Sequence, residues 1–242
     1  MMRSMSIRIM NYIGEVIINS KEAKTIGQAL EMASRCNANL TGAVLSDTDL
    51  RGVDLSQARL HKAVMTRADL TGANLSSADL SEADLFGAKL SWASLYGTNL
   101  SKSKLAVADL TGADLSFASL QEADITNANL TAAILVYAIL IKADISKSFL
   151  TLANLSNADL TRANLSSADL SEADLFGAKL LWTNLVGANL HKSCLSQANL
   201  TDADIAFANL SGADLTKANL TDVILSFTDL STSDTTDTIF CS

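Results

Sequence analysis

The sequence contains no proline and few aromatic residues, which make up 5% of its 242 residues. A conventional hydrophobic core draws heavily on Phe, Ile and Val, whereas this chain is dominated by Leu and Ala. That composition predicts a narrow and repetitive interior. Without proline, every residue keeps the backbone N–H that stacked extended chains need for hydrogen bonding.

Cysteine is also scarce. The three cysteines, Cys36, Cys194 and Cys241, are odd in number and far apart, which fits neither a disulfide framework nor the spacing of metal ligands. We therefore expect reduced thiols in a cytoplasmic protein, with no metal and no cofactor. The N-terminal segment also lacks a long apolar run, because Arg8, Asn11 and Gly14 interrupt it. The sequence thus predicts neither a signal peptide nor a transmembrane helix.

What the sequence does contain is one repeat in one register. From Leu40 to Leu230 every fifth residue is apolar, and 35 of these 39 residues are Leu. A small residue precedes each of them by two positions, and it is Ala in 30 repeats. The motif reads A-(D/N)-L-x-x, as in Ala83-Asp84-Leu85-Phe86-Gly87. Since the register never slips, no loop is inserted between repeats.

A period of five fits neither an α-helix nor an unbroken strand. On a helix the leucines would spiral around the axis, and on a strand they would alternate between faces. A bend once per repeat keeps every Ala–Leu pair inside. Nine of the eleven glycines lie two residues after the central apolar residue, where a turn can require a positive φ.

These repeats resemble those of the pentapeptide repeat proteins, over about residues 38–230. The resemblance implies an all-β fold, a right-handed quadrilateral β-helix, with four pentapeptides in each 20-residue coil and about nine to ten coils. Residues 1–37 are expected to form a cap, made of a β-hairpin around Tyr12–Glu15 and a helix from about Thr25 to Arg35. Residues 231–242 are expected to form a C-terminal tail, because position 235 is Thr.

No catalytic site is expected. His61 and His191 lie 130 residues apart, on opposite sides of the implied square, and neither has a ligand set. The motif carries Asp in 15 repeats and Asn in 11, which indicates hydrogen bonding to the backbone at turns. The sequence accordingly predicts a non-enzymatic protein without a small-molecule substrate.

Residues 20 positions apart become vertical neighbours in such a coil. One column alternates in charge and predicts a structural ladder of ion pairs: Lys62, Glu82, Lys102, Glu122 and Lys142. The ladder independently supports a coil of four repeats, because a coil of 15 or 25 residues would scatter it.

A second set of residues predicts an interface. In the middle of the rod, apolar side chains occupy outward positions that are mostly polar elsewhere, and such surfaces commonly mark contact sites. The candidate interface residues are Phe117, Ile134, Val136, Tyr137, Ile139, Ile141, Phe149 and Leu152. The alternative is that these stacked residues merely shield one another.

Two functions follow from these features. The first is a protein-interaction or scaffolding rod that binds a protein partner or forms a homodimer, with no direct binding to nucleic acid or membrane. The second is a regulator that mimics DNA, since some members of the resembling family act on DNA gyrase. Residues 39–242 have 23 acidic and 13 basic residues. A rod of this length, roughly 45 Å, would match B-DNA carrying about 26 negative charges, so the charge match is poor.

Overall fold

The computed structural model describes residues 6–240 and contains a short cap followed by a long coil. Strands β1 (Ile7–Met10) and β2 (Val16–Ser20) form an antiparallel hairpin, and helix α1 (Ile26–Arg35) follows. Thr25 caps the helix by accepting a hydrogen bond from the Gln28 N–H, at 3.1 Å. The Gln28 side chain accepts a hydrogen bond from the Lys24 N–H at 2.9 Å. In a standard capping box it would accept from the N–H of the capping residue itself, Thr25.

The repeats wind into a right-handed quadrilateral β-helix, as the family resemblance implies. Asp and Asn positions of the motif form parallel bridges with the residue 20 positions later, as in Asp69 with Lys89. Around Leu70, the backbone N–H donates to the Lys89 carbonyl at 2.7 Å, and the Gly72 N–H donates to the Ser91 carbonyl at 2.9 Å. These bonds repeat on all four sides and hold each coil to the next.

The interior consists of the two apolar residues of each motif. Leu85 and the Ala83 that precedes it are both fully buried, and the same holds for nearly every repeat until about Leu220. Five fully buried positions carry a hydroxyl in place of Ala: Thr98, Ser103, Ser148, Thr183 and Ser193. Four of them donate to a backbone carbonyl, for example Ser148 to Ile125 at 2.7 Å. The Oγ of Ser103 has no partner.

A tight turn ends each repeat. The N–H of Ala73 donates to the Leu70 carbonyl at 2.9 Å, and Gly72 between them has a φ of +65°. This is the pattern of a type II turn. The third turn residue has a positive φ in every repeat from Gly42 to Phe227, whether or not it is glycine. Glycine eases this conformation, but the coil imposes it on all residues, including the β-branched Val107 at +61°.

The cap covers the open edge of the first coil. The Val44 N–H donates to the Met10 carbonyl at 2.8 Å, so the hairpin pairs with one side of that coil. On the opposite side, the Asp54 N–H donates to the Glu31 carboxylate of α1 at 3.1 Å. The two cap elements therefore satisfy edge donors that no preceding coil can reach.

At the other end, the coil continues past the predicted boundary at residue 230. Asn219 still pairs with Ile239, and the Leu220 N–H donates to the Ile239 carbonyl at 2.8 Å. Thr235, which suggested a tail, follows the bridge residue Asp234 without breaking the coil. The reason is that the backbone carries the stacking and that Thr235, in the last coil, is exposed, so its polar side chain is not buried in the interior.

The turns give a first prediction. Replacing Gly72 with Ala should lower the free energy of unfolding by about 1 kcal/mol, because Ala is strained at positive φ. No atom lies within 4 Å of the added Cβ, so the backbone alone is tested. The matched change Val107→Asn should raise stability by a similar amount. Urea unfolding followed by circular dichroism measures both, and equal stability of Gly72→Ala and the parent would contradict the strain argument.

The interior gives a second prediction. Ser103→Ala should raise the free energy of unfolding by about 1 kcal/mol, because it removes a buried hydroxyl without a partner. Ser148→Ala is the matched control, since it deletes a hydroxyl that is hydrogen-bonded, and it should be neutral or destabilising. If both substitutions shift the urea midpoint in the same direction by the same amount, the unpaired hydroxyl of Ser103 has no energetic significance.

Candidate functional site

The 20-residue coil assigns each outward residue to one of four sides. Asn39 begins the column of bridge residues on side 1, Val44 on side 2, Asp49 on side 3 and Asp54 on side 4. The turn residues between consecutive bridge residues form the corners. Sides 1 and 3 are opposite each other, as are sides 2 and 4.

The charged column lies on the corner between sides 1 and 2. The Nζ of Lys62 is 3.4 Å from the Glu82 carboxylate, and that of Lys102 is 3.8 Å from Glu122. These ion pairs are largely exposed, so each contributes at most about 1 kcal/mol. Lys142 lies on the same corner one coil beyond Glu122. Among the described residues the column contains two separate ion pairs, Lys62–Glu82 and Lys102–Glu122, and Lys142 is in neither.

The predicted interface residues do not share one side. Their placement follows from the coil register. Ile134 is on side 4, Ile139 is on side 1, and Val136 and Tyr137 are on the corner between these two sides. Ile141 is on the corner between sides 1 and 2, Phe149 is on side 3, and Leu152 is on the corner between sides 3 and 4. Phe149 and Leu152 are 54% and 56% exposed, but Phe149 points away from Ile139. Val136 and Ile141 are partly buried.

The compact part of this set surrounds the corner between sides 4 and 1. Here the rings of Phe117 and Tyr137 stack with centroids 5.3 Å apart and an interplanar angle of 18°. The Tyr96 ring packs against Phe117 in a tilted arrangement, with the ring centroids 5.4 Å apart and an interplanar angle of 57°. Ile134 and Ile139 flank the stack and are 42% and 40% exposed. We call this surface the aromatic corner; its residues are Tyr96, Phe117, Ile134, Val136, Tyr137 and Ile139.

Sequence reasoning missed some of these contacts. Tyr96 precedes the apolar segment in the sequence, so the pattern of that segment does not include it. Its separation from Phe117 along the sequence, about one coil, is the signal that indicates the contact. The same spacing joins Phe207 and Phe227, whose rings stack at 4.9 Å. It also places the Arg162 guanidinium 5.2 Å from the Trp182 ring.

The aromatic corner borders the most acidic strip of the rod. Side 4 and this corner together carry six aspartates and one lysine within the described residues. The aspartates are Asp54, Asp114, Asp174, Asp214, Asp234 and Asp237, and the lysine is Lys217. Asp114 lies one coil below Ile134 and therefore directly beside the ring stack. Apolar and negative surfaces thus meet at one place.

The recurring Asp and Asn residues serve the turns. Asp109 accepts a hydrogen bond from the Thr111 N–H at 3.1 Å and from the Thr111 hydroxyl at 2.6 Å. Partial burial opposes ionisation of Asp109, but hydrogen bonds from Thr111 and Ser91 outweigh it and lower the pKa of this carboxyl. Asp69 shows the same direction, since hydrogen bonds from Thr71 lower its pKa. These carboxylates are occupied in holding turns together.

The two histidines are separate. Nδ1 of His61 lies 2.9 Å from the Ser81 hydroxyl, and Nδ1 of His191 lies 2.8 Å from the Ser211 hydroxyl. Each pairs with the serine one coil away, on opposite corners of the rod. Among residues 6–240, no group of three or more His, Cys, Asp or Glu side chains is arranged to hold a metal ion.

Two further surfaces complete the description. Cys36 is exposed and Cys194 half-buried, and both are free thiols, while Cys241 lies outside the described residues. A polar cleft of about 470 Å³ separates α1 from the first coil, where Arg35 and Asp54 line it. No helix in the part of the chain that the structure describes is long and apolar enough to cross a bilayer.

The lowered carboxyl pKa values predict loss of stability in acid. A carboxyl with a lowered pKa in the folded state stabilises the fold above its unfolded pKa of about 3.9, and this stabilisation is lost as pH falls through the folded value. Asp109→Asn keeps the turn acceptor and should reduce the drop in unfolding temperature between about pH 7 and about pH 3. Asn199→Asp should enlarge it. Thermal unfolding followed by circular dichroism measures both, and identical acid responses would refute the assignment.

Comparison with known proteins agrees with the geometry. The family model for pentapeptide repeats matches eight copies, over residues 36–67, 63–101, 108–146, 153–191, 163–202 and 198–234. One similar solved structure is that of HetL, a pentapeptide repeat protein of Nostoc sp. strain PCC 7120 that is involved in heterocyst differentiation regulation. HetL is 33% identical to this chain. The match covers 89% of this chain and 94% of HetL, with a TM-score of 0.64.

A second solved structure matches a smaller part of this chain than HetL does. Rfr23, a pentapeptide repeat protein of Cyanothece 51142, is 32% identical over 42% of this chain and 59% of that one, with a TM-score of 0.22. No curated protein matches the sequence. The repeat in one register, the four-sided coil and the extent of the family match lead to one conclusion. This chain belongs to the pentapeptide repeat family.

Proposed function

We propose that this protein is a non-enzymatic interaction rod that binds another protein through the aromatic corner. The observation that carries the proposal is the exposed stack of Tyr96, Phe117 and Tyr137. Phe117 and Tyr137 are each 51% exposed, although they occupy turn positions that hold Gly, Ser, Asn or Lys in most other coils. Aromatic rings of this kind supply much of the binding energy at protein interfaces.

The form of the rod supports binding over catalysis. Its sides are built from one repeated turn, and its recurring carboxylates are hydrogen-bonded to those turns, as Asp114 is to the Ser116 N–H at 2.9 Å. An active site needs a concave surface with converging groups, whereas a flat side offers area for contact. Pentapeptide repeat proteins are generally structural or interaction proteins.

The relatives support a regulatory setting. HetL shares the fold along nearly its whole length and is involved in the regulation of heterocyst differentiation. A rod of the same shape that controls a partner by contact is the role we infer for this chain. The free thiols of Cys36 and Cys194 support action in the reducing environment of the cytoplasm.

The alternative of DNA mimicry is less well supported. Duplex DNA presents phosphates all along both strands, so a mimic needs dense negative charge over a broad surface. Here the ion pairs of Lys62 with Glu82 and of Lys102 with Glu122 neutralise one corner. Sides 3 and 4 each carry five aspartates at the bridge positions of the described residues, and side 4 has no lysine or arginine at those positions. Negative charge limited to part of the surface favours local recognition of a partner over imitation of a duplex.

Panning a displayed library of protein fragments on the immobilised chain tests the proposal. We expect enriched fragments that bind the parent and lose about tenfold or more of their affinity for Phe117→Ser. Ser is tolerated at this turn position, because Ser77 and Ser167 occupy the same backbone conformation. The control is Phe149→Ser, which removes an equally exposed ring on side 3 and should leave binding unchanged. Fragments that ignore Phe117→Ser, or no enriched fragments at all, would count against the aromatic corner as an interface.

A further inference from the structure

The charge beside the aromatic corner restricts the kind of partner that fits it. Within the described residues, side 4 and its corner carry no Lys or Arg before Lys217, whereas Asp114 and Asp174 lie on either side of Ile134 along side 4. The carboxylate of Asp114 accepts from the Ser116 N–H, and that of Asp174 from the Phe176 N–H, both at 2.9 Å. Asp174 also accepts from the Ser156 hydroxyl at 2.9 Å. Both aspartates are partly buried, and neither forms an ion pair within residues 6–240, so their charges are not neutralised by a neighbouring cation.

The rings of the aromatic corner supply apolar area. Phe117 and Tyr137 lie face to face and Tyr96 is tilted against Phe117, so the outward surface of these rings consists largely of their edges. Ring edges carry partial positive charge, so the attraction for a cationic partner comes from the carboxylates beside the rings.

A second copy of the chain is a poor occupant. Each copy carries a net charge of −8, so two copies repel each other, and the aspartates of side 4 add to this repulsion when both aromatic corners are brought together. Like charges at an interface disfavour that pairing. The apolar and acidic surfaces are therefore complementary to a different molecule.

We infer that the partner bound at the aromatic corner is a cationic protein segment, with arginine or lysine next to apolar side chains. Its apolar residues contact Ile134, Ile139 and the rings of Phe117 and Tyr137, and its cationic groups face Asp114 and Asp174. This inference rests on the proposed function and specifies the partner's chemistry.

Three labelled synthetic peptides test the inference. They share the same leucine and valine residues and carry arginine, glutamine or glutamate at the alternating positions. Fluorescence anisotropy measures their affinity for the full chain at neutral pH. We expect the arginine peptide to bind at least about tenfold more tightly than the glutamine peptide, the glutamate peptide not to bind, and binding to weaken as salt rises from about 0.05 M to about 0.5 M.

Two double variants distinguish binding at the aromatic corner from a general attraction of cationic peptides to an acidic protein. Asp114→Asn with Asp174→Asn keeps the turn acceptors and should weaken the arginine peptide roughly tenfold. Asp124→Asn with Asp144→Asn makes the matched change on side 2 and should have little effect. Phe117→Ser should weaken the same peptide, and Phe149→Ser should not.

The outcomes are distinct. Equal loss in both aspartate double variants, or no binding of the arginine peptide, overturns the cationic partner. Enriched fragments that depend on Phe117 but lack Arg and Lys also overturn it, while leaving the interaction rod standing. If no fragment depends on Phe117, the proposed function itself is wrong. A concentration-dependent dimer in light scattering that disappears in Phe117→Ser would replace the cationic partner with a second copy.

Discussion

Hydrogen bonds between successive coils fix the position of every side chain in this protein. Because the Leu70 N–H bonds to the Lys89 carbonyl and the pattern repeats on each side, a residue's number alone determines the side on which it lies. Interior Leu and Ala then fill the square, and the turns accept a positive φ so that this pairing is kept. Side-chain chemistry on the outside is left free to vary.

That separation explains which features could be predicted. The bend in each repeat and the apolar interior followed from the repeat itself, because a period of five residues excludes the other regular structures. The four sides were implied by the resemblance to pentapeptide repeat proteins and supported by the alternating column of Lys and Glu. The hairpin and helix followed from local signals such as Thr25 with Gln28. The end of the coil did not follow, because Thr235 interrupts the apolar pattern, although Phe240 is again in register and Ile239 still pairs with Asn219.

The candidate site was predictable only in part. Sequence spacing identified exposed apolar residues, but Phe149 and Ile139 looked adjacent along the chain and lie on opposite sides of the square. The stack of Tyr96 on Phe117 depends on side-chain angles, which sequence spacing does not fix. Its proximity to Asp114 becomes visible only when residues are assigned to columns. An interface on such a rod is a property of columns more than of segments.

Four equal sides have a consequence for how such a surface changes over time. Inserting or deleting one pentapeptide would leave the core intact and rotate everything beyond it by a quarter turn. Residues 69–92 recur at 159–182 with 22 of 24 positions identical, an offset of eighteen repeats. Eighteen quarter turns leave the copy facing the opposite way, so the ring of Trp92 and that of Trp182 project in opposed directions. Duplication in this fold therefore redistributes surface features around an axis without any need to redesign the interior.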